Sequence, residues 1–401
     1  MRVLVADKFE ETGLEGLRSL GCEVYYEPKL EGEALGWRLR DTAAEVLVVR
    51  STKVTAAEMD QARNLSLVVR AGAGVNTIDL AGASARAISV SNCPGKNAVA
   101  VAELAWGLIL ALDRRIAEQT ADLKAGLWNK AEYGRARGLA GRTLGIAGFG
   151  AIGREVAARG RAFDMEVVAW SPSLSVERAA EGGVVRVASL RELASRSDVV
   201  SVHLALTKET RGVLGGAFFD AMRPGALFVN TSRGETVNAA ALKEAIATKG
   251  IRAGLDVYER EPSGGTGAFE DEVGRLPGVV GTHHVGASTE QAQNAIAAEV
   301  VRIVAAFKAS GEVPNAVNLC GRSPACWLLT VRHRDRVGVL AHVFGALREA
   351  GINVQQTENV VFDGAEAASA RIQLDSEPTR SLLAKVAEGC RDILSITLNP
   401  L

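Results

Sequence analysis

The sequence predicts an α/β chain of two doubly wound parallel sheets followed by a smaller β-α-β-β-α-β domain. Three observations predict it. Short β-rich runs alternate with helical runs up to about residue 309, the pattern of parallel sheets covered by helices. A strand at 143–147 runs into Gly148-Phe-Gly-Ala-Ile-Gly153 and then into an apolar-faced helix, so a G-x-G-x-x-G turn stands between strand and helix. Beyond residue 325 the order becomes strand, helix, two strands joined at Asp363-Gly364, helix, strand.

In chain order, residues 3–6 read as a strand and 10–20 as a helix ended by Gly21. Further strands are expected at 46–49, 67–70 and 88–90. The third of these four strands ends at Arg70-Ala-Gly-Ala-Gly-Val-Asn76, whose glycines expose the backbone N–H groups of Ala73 and Gly74 for an anion. Residues 97–112 form a long Ala- and Leu-rich helical run. The second sheet takes strands at 143–147, 166–170, 199–204, 226–230, 253–257 and 279–282. A long amphipathic helix over 290–309 is expected to return to the first domain. The expected partition is therefore 1–97 with 285–313, then 98–284, a linker at 314–325, and 326–401.

Composition bounds the function. A chain of 401 residues points to two or three domains, and 47% hydrophobic residues suffice for packed cores. With 46 basic against 47 acidic side chains, nothing points to nucleic acid or an anionic membrane surface. The five cysteines contain no C-x-x-C pair, which fits reduced thiols in a cytoplasmic protein, and no metal site is expected. Residues 1–7 read as a strand rather than a signal peptide. The longest apolar run, 99–112, is interrupted by Glu103 and reads as a buried helix, not a membrane span.

The G-x-G-x-x-G turn carries the first chemistry. Gly148 permits the tight turn, Gly150 lets a pyrophosphate approach the backbone, and Gly153 lets helix and strand pack closely. The helix N-terminus beginning at Ala151 and Ile152 offers free N–H groups to the phosphates.

Three further stretches follow strands: Asn230-Thr-Ser-Arg-Gly234, Leu255-Asp-Val-Tyr-Glu-Arg-Glu-Pro262, and Thr282-His-His-Val-Gly-Ala-Ser-Thr-Glu-Gln-Ala-Gln293. With the glycine-rich turn, they make residues 1 to about 313 resemble the D-isomer-specific 2-hydroxyacid dehydrogenase family, which has two Rossmann-like domains. The segment after residue 325 is similar to ACT regulatory domains, which are ferredoxin-like. The resemblance implies NAD as cofactor, held by Gly148, Gly150, Ala151, Ile152, Gly153, Ser171, Thr231, Ser232, Asp256, Gly286 and Ala287. Ser171 stands where NAD-selective sites usually carry Asp or Glu, so NADP stays open on the residues alone.

For hydride transfer from a 2-hydroxy acid, Arg233 suits carboxylate binding through its planar fork. His284 suits the base that takes the hydroxyl proton, and Glu261 suits a carboxylate that stabilises the imidazolium. The family gives these roles to the residues matching Arg233, Glu261 and His284, and its Thr-x-His pattern selects His284 over His283. His203, at the end of a strand, reads as structural. For a phosphorylated 2-hydroxy acid the resemblance adds Arg50 and Lys53 on a segment lining the cleft, and Lys130 lent by a neighbouring subunit of a homodimer or homotetramer. In the ACT-like segment the effector positions are His333, Asp335 and Asn353, where relatives that bind serine carry His, Asn and Asn. The alternatives are a glyoxylate or hydroxypyruvate reductase and a dinucleotide-sensing binding protein.

Overall fold

Five short strands build the first sheet: β1 (Arg2–Val5), β2 (Glu23–Tyr26), β3 (Val46–Val49), β4 (Leu67–Arg70) and β5 (Ser89–Asn92). They are parallel, in the order β2-β1-β3-β4-β5, in a computed structural model that describes residues 1–262 and 266–401. The central strand β3, Val-Leu-Val-Val, is buried throughout because helices cover both faces. One face packs on Leu35, Leu39 and Met59. The other packs on Leu14, Leu17 and, from far along the chain, Ile296, Val300, Ile303 and Val304 of helix Glu290–Ser310. That helix is capped by Thr289, whose hydroxyl accepts the N–H of Ala292, and stops at Gly311, φ 75°. Strand β2 lies outside the expected set: Glu-Val-Tyr-Tyr is an edge strand with no fully buried residue, so it lacks an apolar run.

The second sheet has seven parallel strands: β6 (Thr143–Ala147), β7 (Glu166–Trp170), β8 (Val185–Arg186), β9 (Val199–Val202), β10 (Leu227–Asn230), β11 (Arg252–Leu255) and β12 (Val279–Gly281). Their order is β12-β11-β10-β9-β6-β7-β8. The helices Ala98–Arg114 and Ala151–Ala162 cover one face, with Trp106, Ile109 and Val156 in the core. Phe218, Phe219 and Phe228 pack edge to face on the other side. The expected strands here run one or two residues too long at their carboxyl ends, where the chain leaves the ladder to form turns.

The chain divides into two compact units, 1–318 and 319–401. Residues 314–318, expected within the linker, are fastened to β5. Ser91 Oγ donates to the Pro314 carbonyl at 2.6 Å, Val317 N donates to Val90 O at 2.8 Å, and Asn318 Oδ1 accepts from Val90 N at 2.8 Å. An edge strand has free donors and acceptors, and this segment takes them up.

The second unit has β13 (Trp327–Arg334), β14 (Val354–Val361), β15 (Ala367–Leu374) and β16 (Ile393–Pro400), antiparallel in the order β14-β15-β13-β16. The helices Val339–Glu349 and Arg380–Gly389 supply Val343, Leu347 and Val386 to a core with Leu329, Val331 and Ile372. No helix among the described residues is long and apolar enough to cross a membrane.

Candidate active site

Open α/β sheets bind ligands beyond the carboxyl ends of their strands, where the strand order reverses. In the second sheet that point lies between β6 and β9. Gly148 follows β6 with φ 100°, and a methyl group there would overlap the His203 carbonyl that follows β9. A methyl group on Gly150 would meet nothing within 4 Å, so the backbone there is open to an approaching ligand. A methyl group on Gly153 would overlap the Gly148 carbonyl, so its absence lets the helix seat against the turn. The three glycines thus fulfil three separate requirements, and helix Ala151–Ala162 starts at the opening with no side-chain cap on its N–H groups. Ser171 follows the last residue of β7, half-buried. Thr231 and Ser232 are buried beyond β10; Ser232 Oγ donates to Asn230 Oδ1 at 2.7 Å, whereas Thr231 Oγ1 has no protein partner among the described residues.

His284 and Glu261 meet. His284 Nδ1 lies 2.6 Å from Glu261 Oε2, and Glu261 Oε1 accepts the N–H of Tyr258 at 2.9 Å. Burial raises the Glu261 carboxyl, but the bonds from His284 and Tyr258 and the charges of His284 and Arg233 outweigh it and hold it below the usual range. With Nδ1 engaged, Nε2 is the nitrogen left to exchange a proton with a ligand. His284 has φ 54°, in the left-handed region that non-glycine residues rarely adopt. Asp256 holds the turn in this state. Its Oδ1 accepts from Thr282 Oγ1 at 2.6 Å and Val285 N at 2.9 Å, and Oδ2 accepts from Gly286 N at 2.9 Å. Asp256, expected as a cofactor contact, is thus buried with its oxygens engaged in shaping the turn of His284, Gly286 and Ala287.

Arg233 extends from beyond β10 to the turn after β4, where a methyl group on Gly74 would overlap its Nη2. Its backbone is anchored: Asn230 Nδ2 and Thr236 Oγ1 both donate to the Arg233 carbonyl, at 2.9 and 2.7 Å. The same turn carries a second guanidinium, outside the expected set of site residues. A methyl group on Gly72 would overlap Nη1 of Arg70, and Arg70 Nε is buried without a partner. Burial and the charges of Arg233 and Arg50 push Arg70 down to about 10. Arg70 and Arg233 thus meet at the turn of Ala73 and Gly74, and Arg50, which approaches Ser288 Oγ at 3.5 Å, is near enough for its charge to act on Arg70. Asn92 Nδ2 fixes that turn by donating to the Ala73 carbonyl at 2.6 Å. The signal for Arg70 was present: an arginine at the carboxyl end of a strand, directly before a glycine-rich turn.

Other expected residues are not drawn into this cluster. Lys53 is an exposed side chain beyond β3. Lys130 opens the exposed short helix Lys130–Tyr133, which is tied to Arg115 by Glu132 and to Asp122 by Tyr133. In the second unit His333 is buried, its ring bonded to the Arg334 carbonyl and to Asn359 Oδ1. The N–H of Asp335 donates to Glu366 O, and the N–H of Asn353 donates to Asp375 Oδ1.

An acid–base pair, a cluster of guanidiniums and an open glycine-rich turn within one unit can hold an anionic substrate, take its proton and seat a dinucleotide. Residues 106–304 match the model of the D-isomer specific 2-hydroxyacid dehydrogenase, NAD binding domain. The chain is 38% identical to D-3-phosphoglycerate dehydrogenase of Archaeoglobus fulgidus, over 90% of this chain and 69% of that protein. It is 41% identical to hydroxypyruvate reductase of Thermotoga maritima, over 67% of this chain and 85% of that protein. Among solved structures it is similar to the NAD+-bound 3-phosphoglycerate dehydrogenase of Entamoeba histolytica, with TM-score 0.66 and 26% identity over 80% of this chain and 99% of that one. The chain therefore belongs to the D-isomer specific 2-hydroxyacid dehydrogenase family, as an oxidoreductase whose cofactor is NAD.

Proposed function

We propose that this enzyme oxidises 3-phospho-D-glycerate to 3-phosphohydroxypyruvate, the first step of phosphorylated L-serine biosynthesis. The observation that carries the reading is the third guanidinium. A 2-hydroxy carboxylate needs one arginine fork, and Arg233 supplies it; Arg50 and Arg70 then leave cationic donors for a second anionic group. Among the described residues none of the three guanidiniums is in an ion pair.

Bound NAD supplies the hydride acceptor, and the glycine-rich turn with the N-terminus of helix Ala151–Ala162 would hold it. The chain's own work is the rest. Arg233 and the N–H groups of Ala73 and Gly74 orient the carboxylate. His284 Nε2 takes the hydroxyl proton, and Glu261 across Nδ1 stabilises the resulting imidazolium. The functional partition follows: 1–97 with 285–313 bind substrate and 98–284 bind the dinucleotide.

A second reading, hydroxypyruvate or glyoxylate reduction, is favoured by the match to the Thermotoga maritima reductase. A dinucleotide-sensing binding protein has no use for the His284–Glu261 pair. Within the proposed function, residues 326–401 act as a ferredoxin-like ACT domain that binds a small amino acid such as serine near His333, Asp335 and Asn353. The enzyme is proposed to work as a homodimer or homotetramer in which Lys130 is lent across the interface. Trp128, 81% exposed, and Leu127 beside it support such an interface. Purified enzyme assayed with NAD against phosphorylated and unphosphorylated 2-hydroxy acids tests the substrate; preference for the unphosphorylated acids would favour the second reading.

A further inference from the structure

The first sheet has its own reversal of strand order, between β1 and β3. Asp7, just beyond β1, fills it. Its Oδ2 accepts three successive backbone N–H groups, from Arg50 at 2.6 Å, Ser51 at 3.0 Å and Thr52 at 2.9 Å. Its Oδ1 accepts the Ser51 hydroxyl at 3.0 Å. One side chain thereby fixes the path of the chain that carries Arg50.

Three of these four donors crowd Oδ2 and the Ser51 hydroxyl takes a position on Oδ1, so most of the carboxylate's acceptor capacity is committed to this loop. Burial raises the Asp7 carboxyl, but the N–H groups of Arg50, Thr52 and Ser51 outweigh it and hold it below the usual range, so it is charged at neutral pH. Its charge also reaches Arg70. A carboxylate free to grip Arg50 or Arg70 would shut the anion site with an internal salt bridge. Asp7 offsets cationic charge through space while the guanidinium donors stay available.

We propose that Asp7 is a positioning residue for substrate recognition: it sets Arg50 toward the second anionic group of the substrate and lets three like charges gather without closing the site. This rests on the substrate reading above. The test is the NADH-dependent reduction of 3-phosphohydroxypyruvate and of hydroxypyruvate by the wild-type enzyme, Asp7→Asn and Ser51→Ala. Asp7→Asn is expected to raise KM for the phosphorylated acid about tenfold or more, as loss of charge-assisted bonding does, with kcat and the constants for hydroxypyruvate within about threefold. Ser51→Ala, which removes a single bond to Asp7 and serves if Asp7→Asn does not fold, is expected to raise that KM about fivefold. An unchanged KM for the phosphorylated acid in either folded variant overturns the proposal, as does an equal loss on both acids, which is what a purely structural role would give. If the wild-type enzyme shows no preference for the phosphorylated acid, the substrate reading and this inference fall together. If the preference exists and survives in Asp7→Asn, only the inference falls.

Discussion

The two parallel sheets each reverse their strand order once, and they use the crevice in opposite ways. In the second sheet the crevice is left open by protein atoms: Gly148 turns the chain away, Gly150 leaves room, and a helix begins there with no side-chain cap on its N–H groups. In the first sheet the crevice is filled by the Asp7 carboxylate, and the glycines of the neighbouring turn are overlaid by the Arg70 guanidinium of this sheet and by Arg233 reaching in from beyond β10. Glycine therefore does different work at the two ends of the site. At Gly150 the missing side chain makes space for a ligand, and at Gly72 and Gly74 it makes space for the protein's own arginines.

The largest expected effect lies at the junction of the two regions. His284→Ala should lower kcat by about a hundred- to ten-thousand-fold, the range for losing a general base, while NAD affinity measured by fluorescence titration stays near wild type. Near-normal turnover would move the base elsewhere, His283 first.

The two glycine uses separate next. Gly74→Ala should displace Arg233 and raise substrate KM about tenfold or more with NAD affinity kept. Gly150→Ala should weaken NAD with little change in melting temperature, because its methyl group meets no protein atom. If both substitutions weakened both ligands alike, the division of labour drawn here would be wrong.

A smaller effect is expected from Glu261→Gln. The folded-state Glu261 lies below its ordinary 4.5, so its contribution to stability is full above that value and fades as pH falls through the lowered one. The variant should flatten the acid side of the melting-temperature profile and shift the acidic limb of the rate profile through His284. Identical profiles would separate the two residues. The smallest effect is predicted for truncation after Asn318: residues 314–318 complete the edge of the first sheet, so the shortened chain should stay soluble and active while any response to added serine disappears. An insoluble product would make the second unit structural.

Much of this was legible because the physics is local. The glycine-rich turn is six consecutive residues whose spacing states its own geometry, and the helix Glu290–Ser310 announces itself by its amphipathic periodicity. The element order of the last unit could be read from its hairpin at Asp363-Gly364 and its alternating strands. The anion cluster was not readable in full. Arg50, Arg70 and Arg233 come from three strand ends, and Asp7 from a fourth; no spacing in the chain records that they meet. Asp256 reads as a cofactor position only through the family resemblance; that its oxygens also hold the turn carrying His284 in a left-handed backbone depends on contacts no sequence spacing shows. Strand β2 offers no apolar run to read, because an edge strand needs no fully buried face.

The central claim is that the third guanidinium makes this a site for an acid with two anionic groups. The most direct measurement is kcat/KM with NADH for 3-phosphohydroxypyruvate, hydroxypyruvate and glyoxylate under one set of conditions. A second charge-assisted contact is worth about 1.5–3 kcal/mol, which corresponds to a preference for the phosphorylated acid of about ten- to a hundred-fold. Equal values, or a preference for glyoxylate or hydroxypyruvate, would contradict the account.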